Sequence, residues 1–107
     1  MENEKLLRAL GLCAKARRLI VGTEQVCESL RQKTRPYLVL GTVDNSQNTA
    51  KKLADKCAYY QVEYRVPTVD GNVLSDAIGK SGRVAAVAIT DENLAKLVRN
   101  AMEQEHS

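Results

Sequence analysis

The 107-residue chain has no Phe, no Trp, a single His and no Cys-x-x-Cys pair. Without the largest aromatic residues, its core must be built from Leu, Val, Ile and Ala, with four Tyr in addition. The one histidine, His106, is the penultimate residue, so no histidine is placed to act as a general base or to activate a cysteine. These absences leave catalysis poorly supported.

The three cysteines are odd in number and widely spaced, at Cys13, Cys27 and Cys57. This spacing predicts small buried hydrophobic residues in a reducing cytoplasm, not disulfides or metal ligands. No apolar run approaches the roughly 18 residues of a membrane span, and the acidic N-terminus does not resemble a signal peptide. We therefore expect a cytoplasmic protein with no metal site, no cofactor and no membrane contact.

Apolar periodicity predicts helices and strands in strict alternation, beginning with a helix over residues 3–17 and a strand over residues 19–21. Further strands are expected over residues 37–40, 62–66 and 84–89, each preceded and followed by a helix. This order predicts one α/β domain over residues 1–107, a three-layer α/β/α sandwich with a four-stranded mixed sheet and about five helices. The last residues, Gln104 to Ser107, are expected to form a frayed tail.

The segment after the first strand is the most informative part of the chain. Leu19, Ile20 and Val21 form a short apolar strand, which Gly22 breaks, and a helix is predicted to start at Thr23. A strand that runs directly into a helix leaves backbone N–H groups and short polar side chains facing outward. Such a corner suits an anion or the edges of nucleotide bases, although the same pattern also occurs as an ordinary helix cap.

Cationic residues cluster around this corner. Lys15, Arg17 and Arg18 precede the first strand, while Lys80 and Arg83 lie in the loop before the last strand. If the alternation holds, loops near residues 22–25, 41–48 and 79–83 meet at one end of the sheet. Cationic side chains there are suited to contact phosphates, while polar groups at the helix start are suited to read base edges.

Two other basic clusters have simpler explanations. Lys51, Lys52 and Lys56 share one face of the predicted third helix, and such a face is ordinarily just solvated. Arg31, Lys33 and Arg35 follow the end of the second helix, where positive charge favours the helix dipole. Neither cluster is included in the candidate site.

Taken together, these segments resemble the superfamily of ribosomal proteins L7Ae and L30e, in particular its small bacterial members of the YlxQ type. The similarity extends over nearly the whole chain. It is carried by seven segments, at 11–17, 22–26, 37–40, 48–53, 55–57, 77–81 and 84–91. The resemblance implies an L30e-like sandwich that binds structured RNA, typically a kink-turn, which is an internal loop sharply bent beside sheared G·A pairs.

The resemblance also implies site residues. In the family, a Gly-Thr-Asn-Glu-x-x-Lys segment at the start of the second helix meets guanine edges. Gly22 and Thr23 match it, whereas Glu24 replaces Asn, Gln25 replaces Glu and Glu28 stands at the Lys position. A second loop covers a flipped-out base with an apolar residue in most kink-turn binders, and this loop is cationic here.

We therefore expect a non-catalytic RNA-binding protein of ribosomal-protein type, with structured ribosomal or other non-coding RNA as ligand. The ribosome is a candidate partner, and no DNA contact is expected. The expected site residues are Gly22, Thr23, Glu24 and Gln25 for base edges and Lys15, Arg18, Lys80, Ser81 and Arg83 on the phosphate side. Two alternatives remain: a protein-interaction module that has lost kink-turn recognition, and the RNA-recognition domain of an RNA methyltransferase.

Overall fold

The computed structural model describes residues 3–106, and side chains as far as residue 104. Five helices and four strands alternate along the described chain. In order, they are α1 (Glu4–Lys15), β1 (Leu19–Val21), α2 (Thr23–Leu30), β2 (Leu38–Gly41), α3 (Gln47–Tyr60), β3 (Tyr64–Arg65), α4 (Gly71–Ile78), β4 (Ala86–Ile89) and α5 (Glu92–His106). This is the predicted element order.

The four strands form one mixed sheet in the order β1-β4-β2-β3. The last strand in sequence, β4, lies between β1 and β2 and is antiparallel to both, whereas β2 and β3 are parallel. Since β1 and β2 both run antiparallel to β4, their carboxyl ends lie at the same end of the sheet. Helices α2 and α3, which follow these two strands, therefore start at that end as well.

Alternate residues of β4 face two separate hydrophobic clusters. Val87 and Ile89 pack with buried residues of α1, α4 and α5, among them Leu6, Leu10 and Val98. Ala86 and Ala88 pack with α2 and α3, where Val26, Leu30 and Leu53 are fully buried. Because successive strand residues point to opposite faces, this pattern covers both sides of the sheet with helices. The predicted three-layer α/β/α sandwich is confirmed.

The strands are shorter than the apolar runs suggested. β3 contains only Tyr64 and Arg65, and β4 begins at Ala86 although the apolar run begins at Val84. Val84 instead donates its N–H to the carbonyl oxygen of Gly71 at 3.1 Å, which ties it to the start of α4. Burial by a neighbouring helix, not sheet pairing, thus accounts for the apolar character of Val84.

In the described residues, α5 continues through the segment expected to form a frayed tail as far as His106. Ala101 and Met102 are buried against the core, which anchors this last part of the helix. Gln104 accepts a hydrogen bond from Lys5 Nζ at 3.0 Å, so it belongs to the packed helix. Ser107 lies outside the described residues.

All three cysteines are free and buried, as predicted. Burial raises the pKa of the Cys13 thiol to about 11, and it does the same for the Cys57 thiol. These thiols remain protonated near neutral pH and pack as small apolar groups. Within residues 3–106 we find no group of Cys, His, Asp or Glu able to hold a metal ion. In that same range, no helix combines the length and apolar composition that crossing a membrane requires.

Candidate nucleic-acid interface

Three loops meet at the end of the sheet where β1 and β2 finish and β4 begins. Gly22 donates its N–H to the carbonyl oxygen of Ala86 at 2.9 Å, and Gly41 pairs with the same residue in register. Asn45, in the loop after β2, donates from Nδ2 to the carbonyl oxygen of Ala85 at 2.9 Å. The loops that follow β1 and β2 and the loop that precedes β4 therefore share one edge of the molecule.

Gly22 occupies the turn between β1 and α2 with a backbone that favours glycine. Its φ of 106° lies in the left-handed region, which side-chain-bearing residues rarely adopt. A Cβ atom at this position would also collide with Oε1 of Gln25. The Gln25 side chain thus folds back over the turn, and the glycine lets the strand pass directly into the helix.

The first turn of α2 is open to solvent. Among the residues that the structure describes, no side chain caps this helix, whereas Ser46 caps α3 and Asp70 caps α4. Glu24 and Gln25 are exposed and Thr23 is half-buried. The uncapped first-turn N–H groups are therefore left to water or to a ligand. We call residues Gly22–Gln25 the α2 corner.

The loop after α4, which we call the second loop (Gly79–Arg83), reaches the neighbourhood of this corner. Positive φ values at Gly79 and Gly82, 75° and 81°, let it turn twice within a few residues. Lys80 and Ser81 between them are exposed. A depression of about 460 Å³ joins the loop to the edge of the sheet, lined by Ala14, Arg17, Leu19, Val21, Ile78, Gly79 and Lys80. Lys80 and Val21, the residue before the corner, thus line the same depression.

The two expected phosphate-binding cations before β1, Lys15 and Arg18, lie at different distances from the second loop. Lys15 ends α1 and lines a shallow depression with Gly79, so it lies beside the second loop. Arg18 lies at the opposite end of β1, where its carbonyl oxygen accepts a hydrogen bond from Thr90 N at 3.0 Å. About 13 Å of extended chain separates it from Gly22. Arg18, which the sequence analysis assigned to phosphates, thus lies at the far end of β1 from Gly22.

The neighbouring cation, Arg17, lies beside the second loop. It adopts a left-handed φ of 58° after α1 and lines the same depression as Lys80. Leu19 and Val21, whose side chains point to the same face of β1, line that depression too. We call this feature the Arg17–Lys80 depression.

Arg83 is engaged within the protein. Its Nε donates to Asp44 Oδ2 at 3.0 Å, and its second terminal nitrogen donates to Asn45 Oδ1 at 2.7 Å. Asp44 also accepts the N–H of Gly71 at 3.0 Å, so the pair joins the loop after β2, the start of α4 and the second loop. The primary role of Arg83 in the folded protein is therefore to hold these segments together.

Of the two acidic residues of α2 that depart from the family pattern, one is directed away from the corner. Glu28 accepts a hydrogen bond from Gln32 at 3.1 Å and pairs with Arg31 at 3.5 Å, both toward the far end of the helix. Glu24 makes no ion pair with any residue in the described part of the chain. Only Glu24 thus adds negative charge to the corner itself.

Comparison with known proteins identifies the fold family. The model of the "Ribosomal protein L7Ae/L30e/S12e/Gadd45 family" matches residues 4–99. The chain belongs to this family. The resemblance inferred from the sequence motifs is thereby confirmed.

Individual relatives agree with this assignment. The chain is 45% identical over 86 residues to RNA-binding protein YlxQ of Bacillus subtilis, which covers 80% of this chain and 83% of that protein. It is 30% identical over 101 residues to RNA-binding protein YlxQ of Enterococcus faecium, which covers 94% of each.

Solved structures have the same fold. A Bacillus halodurans protein of unknown function superposes with a TM-score of 0.83 at 32% identity, over 92% of this chain and 97% of its own. The Giardia lamblia 15.5kD RNA binding protein superposes with a TM-score of 0.77 at 17% identity, over 95% and 85% of the two chains. At that identity the second likeness concerns the fold alone.

The ion pair between Asp44 and Arg83 gives a testable titration. The Arg83 guanidinium holds the pKa of the Asp44 carboxyl at about 2, below its ordinary value of 3.8. Because this pKa is lowered by folding, the pair stabilises the folded protein above the unfolded value, and that contribution is lost as pH falls through about 2. In the Arg83→Gln variant, the Asp44 pKa is expected to return toward 3.8.

NMR titration of the Asp44 side-chain carbon measures both midpoints. The Lys80→Gln variant is the control, since it removes a cation from the same loop without removing the Asp44 partner. A wild-type midpoint near 3.8, unchanged by Arg83→Gln, would show that the ion pair is not formed in solution.

Proposed function

We propose that this chain is a non-catalytic RNA-binding protein of ribosomal-protein type, which recognises structured, kink-turn-like RNA through the α2 corner and the second loop. Membership of the L7Ae/L30e/S12e/Gadd45 family supports this, as does the name RNA-binding protein carried by two YlxQ relatives. Association with the ribosome and a cytoplasmic location accompany this proposal.

The observation that carries the proposal is the open first turn of α2 beside the cationic second loop. Uncapped backbone N–H groups donate to the acceptor atoms of a guanine edge or to a phosphate. The Gln25 amide offers both a donor and an acceptor, and this side chain is exposed. Gly22 itself carries no side chain, and the Gln25 side chain that folds over the turn holds its amide where a base would approach.

Phosphates of the bound RNA are assigned to cations around the corner. Lys80 and Arg17 line one depression, and Lys15 lies beside Gly79. Arg83 contributes less, because Asp44 already offsets its charge. Ser81 adds a neutral hydroxyl donor on the exposed loop. Arg18 is left out of this set because of its position at the other end of β1.

The Glu24 carboxylate determines which part of an RNA can contact the α2 corner. A carboxylate at the corner repels phosphates but accepts hydrogen bonds from base N–H donors, such as the exocyclic amino group of guanine. We therefore assign the corner itself to base edges and the surrounding cations to the backbone. This division favours RNA whose base edges are exposed, as in an internal loop, over a regular duplex whose deep major groove hides them.

The first test compares two synthetic RNA hairpins of equal length. One contains a kink-turn internal loop with sheared G·A pairs, and the other is fully paired. We expect the protein to bind the kink-turn hairpin more tightly by fluorescence anisotropy, with affinity that falls steeply as salt rises. With about three to five phosphate contacts, the slope of log K against log salt should be roughly −2 to −4.

Equal affinity for both hairpins would contradict recognition of the kink-turn while leaving general RNA binding in place. Absence of binding to either hairpin at low salt would contradict the proposed function altogether.

The second test separates reading of bases from attraction of phosphates. Gln25→Ala is expected to cost about 1–3 kcal/mol on the kink-turn hairpin and little on the paired hairpin. Lys80→Ala is expected to weaken both hairpins similarly and to make the salt slope shallower by about one unit. Lys96→Ala, on the exposed surface of α5, is the control for loss of a positive charge elsewhere. If Gln25→Ala lowered the affinity for both hairpins equally, the assignment of Gln25 to base edges would be refuted.

A groove between α1 and α4 favours a second candidate function. Leu12 and Val73 are 51% and 41% exposed there, in a groove of about 700 Å³. Exposed apolar surface of this kind is typical of protein contacts. A protein-interaction module would use this groove and would bind neither hairpin, so the first test distinguishes the two candidates.

A further inference from the structure

The most exposed large apolar side chain of the described residues lies far from the proposed RNA site. Tyr59, in the last turn of α3, is 79% exposed. Its ring meets the ring of Tyr60 edge to face, with centroids 4.8 Å apart and planes at 86°. Because the ring buries so little surface, the fold gains little from it, yet its neighbour holds it in a defined orientation.

An arginine fixes the second ring. The Arg35 guanidinium lies over Tyr60, 5.0 Å from the ring centroid, and its Nε donates to the carbonyl oxygen of Leu30 at 3.1 Å. Since Leu30 ends α2 and Tyr60 ends α3, this contact joins the carboxyl ends of both helices. We call Tyr59, Tyr60 and Arg35 the tyrosine platform.

The surface around the platform is strongly basic. The segments 28–35 and 51–60 together contain six Lys or Arg residues and two acidic residues. Both acidic residues are already engaged, Glu28 with Arg31 and Asp55 with Lys51. Three other lysines of these segments make no ion pair with any described residue: Lys33, Lys52 and Lys56. The chain as a whole carries a net charge of +3, so its positive charge is concentrated here.

We propose that the tyrosine platform is a second nucleic-acid contact, at which an unpaired base stacks on Tyr59 while the surrounding lysines bind adjacent phosphates. An exposed ring flanked by cations matches the requirements of single-stranded nucleic acid, whose bases offer flat faces and whose backbone is anionic. An acidic protein segment would use the lysines but would have no need of the ring. The inference rests on the proposed function, because it extends the same RNA beyond the α2 corner.

The spacing fits one continuous RNA. α3 starts at the end of the sheet that carries the corner and has 14 residues, so it spans about 21 Å to the platform. At roughly 3.4 Å per stacked nucleotide, about six nucleotides cover that distance. A single strand that leaves the kink-turn can therefore reach Tyr59 while the corner remains occupied.

The experiment adds a single-stranded extension to the kink-turn hairpin. Three versions are compared by fluorescence anisotropy: a blunt hairpin, a hairpin with ten adenosines, and one with ten abasic residues that keep the phosphates but lack the bases. Extensions are placed at the 5′ end and at the 3′ end in turn. We expect the adenosine extension at one end to bind about 5- to 150-fold more tightly than the abasic one, because a base stacks on Tyr59.

Variants assign this gain to the platform. Tyr59→Ala is expected to abolish the difference between adenosine and abasic extensions, whereas Tyr59→Phe keeps it because stacking needs only the ring. Leu97→Ala is the matched control, since it truncates another exposed apolar side chain, 41% exposed, in the opposite helical layer. Thermal melting of each variant checks the fold, and affinity for the blunt hairpin should not change.

The outcomes separate this inference from the proposed function. If the blunt hairpin binds but adenosines add nothing beyond abasic residues, the platform proposal is overturned and the proposed function stands. If only the adenosine-extended hairpin binds, and Tyr59→Ala removes that binding, the platform proposal holds while kink-turn recognition fails. The platform proposal is also overturned if Tyr59→Ala weakens the binding of all three hairpins equally. It is likewise overturned if polyglutamate competes for binding while adenosines give no gain in affinity over abasic residues.

Discussion

The hydrogen bond between Gly22 N and Ala86 O fixes the point at which β1 ends and α2 begins. Because β4 pairs with both β1 and β2 near Ala86, the same few residues also set the end of β2. The loops that follow β1 and β2 therefore leave the sheet at the same end. Gly22 completes the arrangement, since its positive φ lets the chain pass directly from β1 into α2.

The same edge of the molecule is held together by polar contacts. Arg83 bonds to Asp44 and Asn45, and Asn45 bonds in turn to the backbone before β4. These contacts keep the second loop in place while leaving Lys80 and Ser81 exposed. A rigid frame with short exposed polar segments is what recognition of a folded RNA requires, because little ordering then remains to be done on binding.

The sequence determines the fold largely through local patterns. Apolar periodicity and the turn at Gly22 were sufficient to predict the element order and the three layers. In the same way, burial of Cys13 and Cys57 followed from their spacing among apolar residues. These features depend on neighbouring residues, so a single chain contains the information they need.

What could not be predicted depends on distant or conformational detail. The loops that contain Asp44 and Arg83 were predicted to meet, but these two residues are 39 apart and nothing local indicates that they form an ion pair. Whether Arg17 or Arg18 faces the second loop depends on the left-handed backbone of Arg17. The tyrosine platform joins Arg35, which follows α2, to Tyr60, which ends α3. Because this contact depends on the packing of α2 beside α3, the sequence alone indicates only solvated basic segments there.

The central claim is that the open start of α2 binds RNA directly, and amide NMR tests it most directly. Titrating the blunt kink-turn hairpin into ¹⁵N-labelled protein should move the amide resonances of Gly22, Thr23, Glu24 and Gln25 most, together with those of Lys80 and Ser81. Resonances that move mainly along the α1/α4 groove, with those of the α2 corner unchanged, would contradict the account.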